Sequence, residues 1–97
     1  MATYVVLVNF TDQGVRNVKQ TTERAKAIAA AGTKLGVKVK ETYWTLGACD
    51  AVLIADAPND EAMTALALGV SSLGNVRTQT MRAYSADEMN KILAKLP

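Results

Sequence analysis

The sequence predicts an α+β domain in which helices cover one face of a four-stranded antiparallel sheet. Strand-like and helix-like segments follow one another in the order βαββαβ, and a further helical pattern follows the last strand. The first and third strand-like runs are apolar at every position over residues 4–8 and 51–55, whereas the second and fourth mix apolar and charged side chains. Strands in the middle of a sheet are covered on both faces, so the two apolar runs belong there. We therefore predict the ferredoxin-like strand order 4-1-3-2.

The first strand and the first long helix are predicted in the amino-terminal part of the chain. Residues 3–10 form the strand, and residues 11–18 form a turn with a short helical segment. The long helix has Thr21 or Thr22 as its amino-terminal cap and ends at Gly36. Its apolar stripe repeats at three- and four-residue steps and consists of Ala25, Ile28, Ala29, Gly32 and Leu35.

The second and third strands, at residues 37–46 and 50–57, are predicted to be joined by a tight connection at Gly47 and Ala48. Lysines alternate with valines at the start of the second strand. Charged side chains are typical of edge strands because they discourage pairing with other chains. We therefore place the second strand at one edge of the sheet.

The second long helix is predicted to follow Pro58. Asn59 or Asp60 can accept hydrogen bonds from the free amides of its first turn, and the helix continues to about Leu73. It is apolar on nearly every side, which a surface helix of a monomer does not require.

The carboxyl-terminal segment is predicted to add an edge strand and a final helix. The strand at residues 76–84 is polar, and Ser85 and Glu88 have the spacing of a capping box. The apolar side of the final helix consists of Met89, Ile92, Leu93 and Leu96. No linker or repeat interrupts the chain, so residues 1–97 form a single domain.

Composition limits the classes of function. The net charge is +2, and the cationic residues form no block, so we expect no nucleic-acid partner. No run approaches about 18 apolar residues, the amino terminus lacks a signal-peptide pattern, and the single Cys49 cannot form an internal disulfide. We expect a cytoplasmic protein in a reducing environment, with no membrane partner.

One face of the predicted sheet lacks a cover. Right-handed crossovers put both long helices on the same face. The other face still carries apolar side chains of the central strands, each worth about 1.5–3 kcal/mol when buried. A second copy of the chain would bury them, so we predict a homodimer, or a higher homo-oligomer, whose sheets pack face to face in a barrel-like body.

Three segments of the chain, residues 47–54, 57–62 and 73–78, carry a resemblance to a known family. They are similar to the GYD-domain family of small bacterial proteins, and the match extends over nearly the whole chain. The resemblance implies a ferredoxin-like fold related to the dimeric α/β-barrel superfamily and no established activity. The motif that names the family has Tyr before Asp, whereas Cys49 precedes Asp50 here. No role that needs a phenol hydroxyl at that position carries over.

The residue types of the chain favour no particular reaction. It contains no histidine and no phosphate-binding loop, so a histidine-bound haem is excluded, and a zinc or iron site would need carboxylates alone. We predict no metal, no cofactor and no catalytic residue. Cys49 is more typical of a small buried side chain than of a nucleophile, because no imidazole is present to act as its base.

Aromatic, arginine and acidic side chains form the candidate ligand-binding set. It consists of Tyr43, Trp44, Asp50, Arg77 and Arg82. Strict alternation puts Tyr43 on the face of Val39 and Trp44 on the face of Lys40. In one interpretation the aromatic residues pack in the dimer interface, and Arg77 or Arg82 pairs with Asp50 or Glu41 across strands. In the other, Arg and Tyr bind the polar end of a ligand in a small apolar cavity between sheet and helices.

Asp50 has two interpretations of its own. It either orients a ligand or an arginine at the rim of the barrel, or accepts backbone hydrogen bonds within the hairpin. We favour the second, because aspartate side chains in turns commonly accept backbone hydrogen bonds.

Three functions remain open from the sequence. We favour a small homo-oligomeric protein that binds a small organic molecule or acts as an accessory domain, without catalysis. The second is a cofactor-independent oxygenase or isomerase that acts on a small aromatic substrate, an analogy with dimeric α/β-barrel enzymes. The third is a structural assembly unit in which the apolar second helix and the edge strands join dimers into larger rings.

Overall fold

A computed structural model describes all residues of the chain, Met1–Pro97. The elements are β1 (Ala2–Phe10), α1 (Asp12–Arg16), a 3-10 turn (Val18–Gln20), α2 (Thr21–Lys34), β2 (Lys38–Trp44), β3 (Ala51–Ala57), α3 (Asp60–Ser71), β4 (Val76–Ala83) and α4 (Ala86–Leu93). The strands form one antiparallel sheet in the order β2-β3-β1-β4, which is the predicted order 4-1-3-2 counted from the other edge. The ferredoxin-like fold class and the additional final helix are confirmed.

The core lies between the sheet and the helices. On β1 and β3 every second residue is buried, and Val6 of β1 pairs with Leu53 of β3 in the middle of the sheet. Met63 and Leu66 of α3 are buried against this face. The buried cluster consists of Tyr4, Val6, Val8, Val37, Ala51, Leu53, Ala55, Ala57, Met63, Leu66 and Val76. Continuous apolar composition in the central strands therefore supplies both this core and the apolar side chains of the opposite face.

Two of the predicted helix caps are present in the structure. The side chain of Asn59 accepts a hydrogen bond from the amide of Ala62 at 2.8 Å and so begins α3. Ser85 and Glu88 form the reciprocal capping box of α4. None of the helices combines the length and the apolar composition that a transmembrane span requires.

The predicted cap of α2 is wrong. Neither Thr21 nor Thr22 occupies the cap position, where Gln20 lies without a side-chain hydrogen bond to the helix. The 3-10 turn leads directly into α2, so Thr21 already belongs to the helix. The predicted end is correct, since Gly36 follows α2 in the left-handed region at φ 75°.

A β-bulge at Lys40 changes which side chains of β2 share a face. Val39 pairs with Ala55, but Glu41 already pairs with Ile54, so one residue of β2 is extra. Val39 therefore lies on the helix-covered face together with Trp44 and not with Tyr43. The prediction from strict alternation is wrong at this strand because the bulge interrupts the period of two. The connection from β2 to β3 is also longer than the predicted tight turn, at residues 45–50.

The opposite face of the sheet is not covered by any element of the chain. Its central residues are apolar and only partly buried: Val5, Leu7, Val52 and Ile54. We call these four the open-face strip. Tyr43 on β2 and Met81 on β4 flank it with 54% and 46% of their surface exposed.

Candidate ligand-binding site

An apolar cavity lies between α2, α3 and the covered face of the sheet. Its volume is about 340 Å³, which is within the range of small-molecule sites. Of the 26 residues that line it, 20 are hydrophobic. Val6, Val8 and Leu53 line it on the side of the sheet, and residues of α2 and α3 line it on the side of the helices. The cavity can therefore accommodate the apolar part of a small organic molecule.

Small side chains on both helices leave this space open. The helix residues of this kind in its lining are Ala25, Ala27, Ala31, Ala65, Ala67 and Gly69. The only buried residue of α2 is Gly32, where an added Cβ would lie 3.1 Å from the carbonyl oxygen of Val37. The carboxyl end of α2 is thus in close contact with the chain below it. Alanine side chains at the earlier positions are too short to fill the space between helix and sheet.

Trp44 lies at the end of the cavity where α2 begins. It pairs with Ala51 at the end of the sheet where β1 and β2 finish and β3 and β4 start. Its indole Nε1 donates a hydrogen bond to Thr21 Oγ1 at 3.0 Å, and 44% of the residue is exposed. Trp44 therefore links β2 to α2 and borders the opening of the cavity.

Arg24 is the one charged residue in the lining of the cavity. Its guanidinium donates to the carbonyl oxygen of Asn17 at 2.7 Å and makes a longer contact of 3.5 Å with that of Gly14. No carboxylate lies within ion-pair distance of it. The ion pairs of the chain join Lys40 to Asp56 and Arg82 to Glu88. A guanidinium carries five N–H donors, so Arg24 retains donors for a ligand.

Arg24 was not among the site residues predicted from the sequence. The signal that could have found it is its spacing, because Arg24 lies four residues before Ile28 of the apolar stripe and next to Ala25. A cationic side chain on the buried side of a helix is a better candidate for a ligand-binding residue than one on the exposed side.

The five predicted site residues do not come together. Trp44 and Arg82 both lie on the helix-covered face, but on the opposite edge strands β2 and β4. Three strand spacings separate these edges, a distance of about 14 Å. Tyr43 and Arg77 lie on the open face, again on opposite edges. Only Trp44 of the predicted set lines the cavity.

Asp50 is held by the backbone at the end of the β2–β3 connection. Its carboxylate accepts a hydrogen bond from the amide of Phe10 at 2.8 Å. Its own amide donates to the carbonyl oxygen of Val8 at 2.8 Å, and its carbonyl oxygen accepts from the amide of Thr45 at 2.9 Å. These contacts agree with the interpretation of Asp50 as a hairpin residue, since they join the connection to the end of β1.

Arg82 is part of a cluster that joins β4, β1 and α4. Its guanidinium lies 3.3 Å from the carboxylate of Glu88 and over the rings of Tyr84 and Tyr4, at 4.6 Å and 5.8 Å from their centroids. The backbone amide of Ser85 and the guanidinium of Arg82 lower the pKa of Glu88 below its usual value. This cluster attaches the start of α4 to the edge of the sheet.

The predicted cross-strand ion pairs are wrong. Arg82 pairs with the helical Glu88 rather than with Asp50 or Glu41, and Arg77 forms no ion pair. Glu41 instead accepts a hydrogen bond from the hydroxyl of Tyr43, which raises the pKa of that tyrosine. Which side chains meet depends here on the bulge and on α4, neither of which strand alternation describes.

Tyr4 and Asp60 form a polar contact beside α3. The hydroxyl of Tyr4 donates to the carboxylate of Asp60, and this hydrogen bond raises the pKa of Tyr4. A second, more open recess between α3 and β4 is lined in part by these two residues and by Arg82. The guanidinium of Arg82 already pairs with a carboxylate of the chain, whereas Arg24 in the cavity has none, so the recess is less suited to binding an anion than the cavity.

Cys49 is a free, partly buried thiol in the β2–β3 connection. The hydroxyl of Thr45 lies 3.5 Å from its Sγ and donates to its carbonyl oxygen at 2.6 Å. Cys49 is not part of the cavity lining. No group of three or more Cys, Asp or Glu residues in the structure is arranged to hold a metal ion.

Comparison with known proteins identifies the family. The model of the GYD domain matches residues 4–93. A Thermus thermophilus protein named "Glutamine synthetase and cystathionine beta-lyase binding protein" is 31% identical over 90 residues, which cover 92% of this chain and 95% of that protein. The crystal structure of TTHA0845 from Thermus thermophilus shares 27% identity at a TM-score of 0.57 and covers 89% of this chain and 96% of its own.

A more distant structure shares the fold alone. The leucine response regulatory protein LrpA of Mycobacterium tuberculosis superimposes with a TM-score of 0.67 at 16% identity, over 88% of this chain and 51% of that chain. The family match and the Thermus relative both cover nearly the whole sequence and confirm the resemblance found from the sequence. This chain therefore belongs to the GYD-domain family.

Proposed function

We propose that this protein is a non-catalytic, homodimeric accessory protein that binds a small organic ligand in the cavity between α2, α3 and the sheet. The observation that carries the proposal is the cavity itself, with a volume of about 340 Å³ and a largely apolar lining. Protein interiors are close-packed and contain few voids larger than a water molecule. A space of this size next to the core is typical of a ligand site.

The accessory role is supported by the Thermus relative. Its name describes a protein that binds glutamine synthetase and cystathionine beta-lyase, and it aligns with nearly the whole of this chain. We propose that this chain likewise acts through contact with another protein. The single cysteine, which is free, is compatible with a cytoplasmic location, which we include in the proposal.

The homodimer is proposed from the open-face strip. Its four residues lie in the centre of the sheet and are only partly buried by the chain itself. Covering apolar side chains is worth about 1.5–3 kcal/mol each when burial is complete, so a second copy seated here would gain several kcal/mol. The strip lies on the face opposite the cavity, and ligand binding and dimerisation therefore use separate surfaces.

The other two functions have less support. An oxygenase or isomerase built on Trp44 and Arg82 would need both at one substrate, and they lie on opposite edges of the sheet. A ring assembled through strand edges would have to pair β2, whose first residues include Lys38 and Lys40. Charged edge strands resist such pairing.

The ligand site can be tested by a substitution that fills it. Ala25→Leu replaces a methyl with an isobutyl group at a partly buried position of the lining, and Ala30→Leu makes the same replacement at an exposed position of the same helix outside the lining. A library of small apolar compounds would be screened against the wild type by ligand-observed NMR. We expect compounds that bind the wild type and the Ala30→Leu variant but not the Ala25→Leu variant. Binding that is unchanged in Ala25→Leu would contradict the proposed site.

A further inference from the structure

We propose that the ligand of the cavity is a small apolar monocarboxylate whose carboxylate pairs with Arg24. The inference rests on the proposed function, since it names the chemical class of the molecule that the cavity would hold. The hydrocarbon part of the ligand would occupy the apolar space between the helices and the sheet. Its carboxylate would lie at the end where α2 begins.

The charge of the lining sets the charge of the ligand. Arg24 is cationic, and no acidic residue lines the cavity. Glu23, its neighbour in the sequence, is exposed and lies outside the lining. A guanidinium without a carboxylate partner is matched by an anion, preferably a planar one that can accept two of its N–H groups at once. An amine would be repelled, and a neutral molecule would leave the guanidinium without a counter-ion.

The start of α2 adds a second favourable term at the same end. Gln20 occupies the cap position and makes no side-chain hydrogen bond to the amides of the first turn. The amide of Thr21 already donates to the carbonyl oxygen of Val18, so the favourable term is the helix dipole, which gives the amino end of a helix a partial positive charge. Arg24 lies in the first turn and a half of the same helix, so the dipole and the guanidinium favour a negative group at the same end.

The number of polar groups limits the ligand to one carboxylate. Apart from Arg24, the polar side chains of the lining are neutral: Thr21, Thr42, Asn75 and Thr78. Thr21 already accepts from the indole of Trp44. A second carboxylate would therefore be buried without a cation, which is costly. The rest of the ligand must be apolar, because Val, Leu, Ile and Ala side chains make up most of the lining.

The volume limits the size of the ligand. The space of about 340 Å³ is near the lower end of the range for small-molecule sites, about 300–1,000 Å³, so the ligand is small. An aromatic or branched acid of the size of 3-phenylpropionate is a suitable probe.

The test compares three probes with the same hydrocarbon part: 3-phenylpropionate, 3-phenylpropanol and 3-phenylpropylamine. The chain contains a single tryptophan, Trp44, which borders the cavity, so its fluorescence can report binding of each probe. We expect the carboxylate to bind at least about 10-fold more tightly than the alcohol, as for a charge-assisted pair. The amine should show no binding over the same range.

Variants of Arg24 test the pairing directly. Arg24→Gln should remove the preference for the carboxylate and leave the affinity for the alcohol within about threefold, whereas Arg24→Lys should keep part of the preference. Lys26→Gln removes an exposed charge of the same helix outside the lining and should change neither affinity. Circular dichroism establishes that each variant is folded, and the comparison of probes on the wild type does not depend on any variant.

Two failures are distinguishable. If the alcohol binds as tightly as the carboxylate, or if Arg24→Gln leaves the preference unchanged, the cavity binds ligands but the inference about the carboxylate is wrong. If none of the probes binds and no compound of the wider library competes for the site that Ala25→Leu blocks, the proposed function itself is wrong.

Discussion

A charge placed in the open-face strip should separate the proposed dimer without unfolding the monomer. Ile54 lies in the centre of this face, opposite Val5 on β1 and Glu41 on β2. Replacing it with lysine removes an apolar contact worth about 2 kcal/mol and introduces a charge that prefers water. The core on the other face is unaffected, because Ile54 does not belong to it.

The symmetry of the proposed dimer would double the effect. In a two-fold interface the same patch contacts its copy, so each substitution occurs twice in every dimer. Two losses of about 2 kcal/mol give about 4 kcal/mol, which corresponds to a dissociation constant about 1,000-fold higher. A dimer with a dissociation constant of about 10 nM would then have one of about 10 µM, and most of the protein would be monomeric at about 1 µM.

The assay is the mass in solution, measured by light scattering or sedimentation over a range of concentrations. Thr80→Lys provides the control, because Thr80 is exposed on the helix-covered face of the same sheet. We expect Ile54→Lys to be a folded monomer and Thr80→Lys to remain a dimer. A wild-type protein that is monomeric at micromolar concentration, or an Ile54→Lys variant that remains dimeric, would refute the reasoning.

Three further predictions concern stability and pH. Leu66 lies in the core with 4% of its surface exposed, so Leu66→Asp should abolish the cooperative thermal unfolding that circular dichroism records. Leu66→Ala should lower the free energy of unfolding by about 2–5 kcal/mol. An unchanged melting temperature would contradict the assigned core. Gly14→Ala should shift the midpoint of denaturant unfolding to a lower concentration, because the added Cβ would lie 2.0 Å from the carbonyl oxygen of Asn75; an unchanged midpoint would mean that this close approach is absent. The pKa of Glu88 is lowered by its hydrogen bond with Ser85, so its contribution to stability is present above its unfolded pKa and is lost as the pH falls through the folded pKa. The stability difference between wild type and Glu88→Gln should therefore shrink towards zero in acid, and a difference that grows there would reverse the assigned sign.

The sequence was sufficient for the arrangement of the strands because polarity follows position in a sheet. The apolar residues 51–55 could be buried on both sides only in the middle, and the lysines of β2 could remain solvated only at an edge. The caps at Asn59 and Ser85 were predictable because a cap depends on a few neighbouring residues.

Features that depend on contacts between distant segments were not predictable. The bulge at Lys40 leaves no mark in the composition of β2, yet it moves Val39 to the face of Trp44. The start of α2 depends on the preceding 3-10 turn, and both threonines near it are suitable caps by residue type alone. A cavity between sheet and helices was among the interpretations, but its cationic residue was missed because Arg24 lies on α2, whereas the predicted site residues lie on the strands and their connections.

The alanine-rich composition of α2 has a mechanical consequence. One end of the helix rests on Gly32, and the other is joined to β2 by the bond between Thr21 and Trp44. Between these two points Ile28 is the large apolar side chain that packs against the core, and most of the other lining positions of the helix are alanines. If the proposed ligand binds beneath α2, few contacts oppose a small outward shift of the helix, and such a shift would change the outer surface that α2 presents to a neighbouring protein.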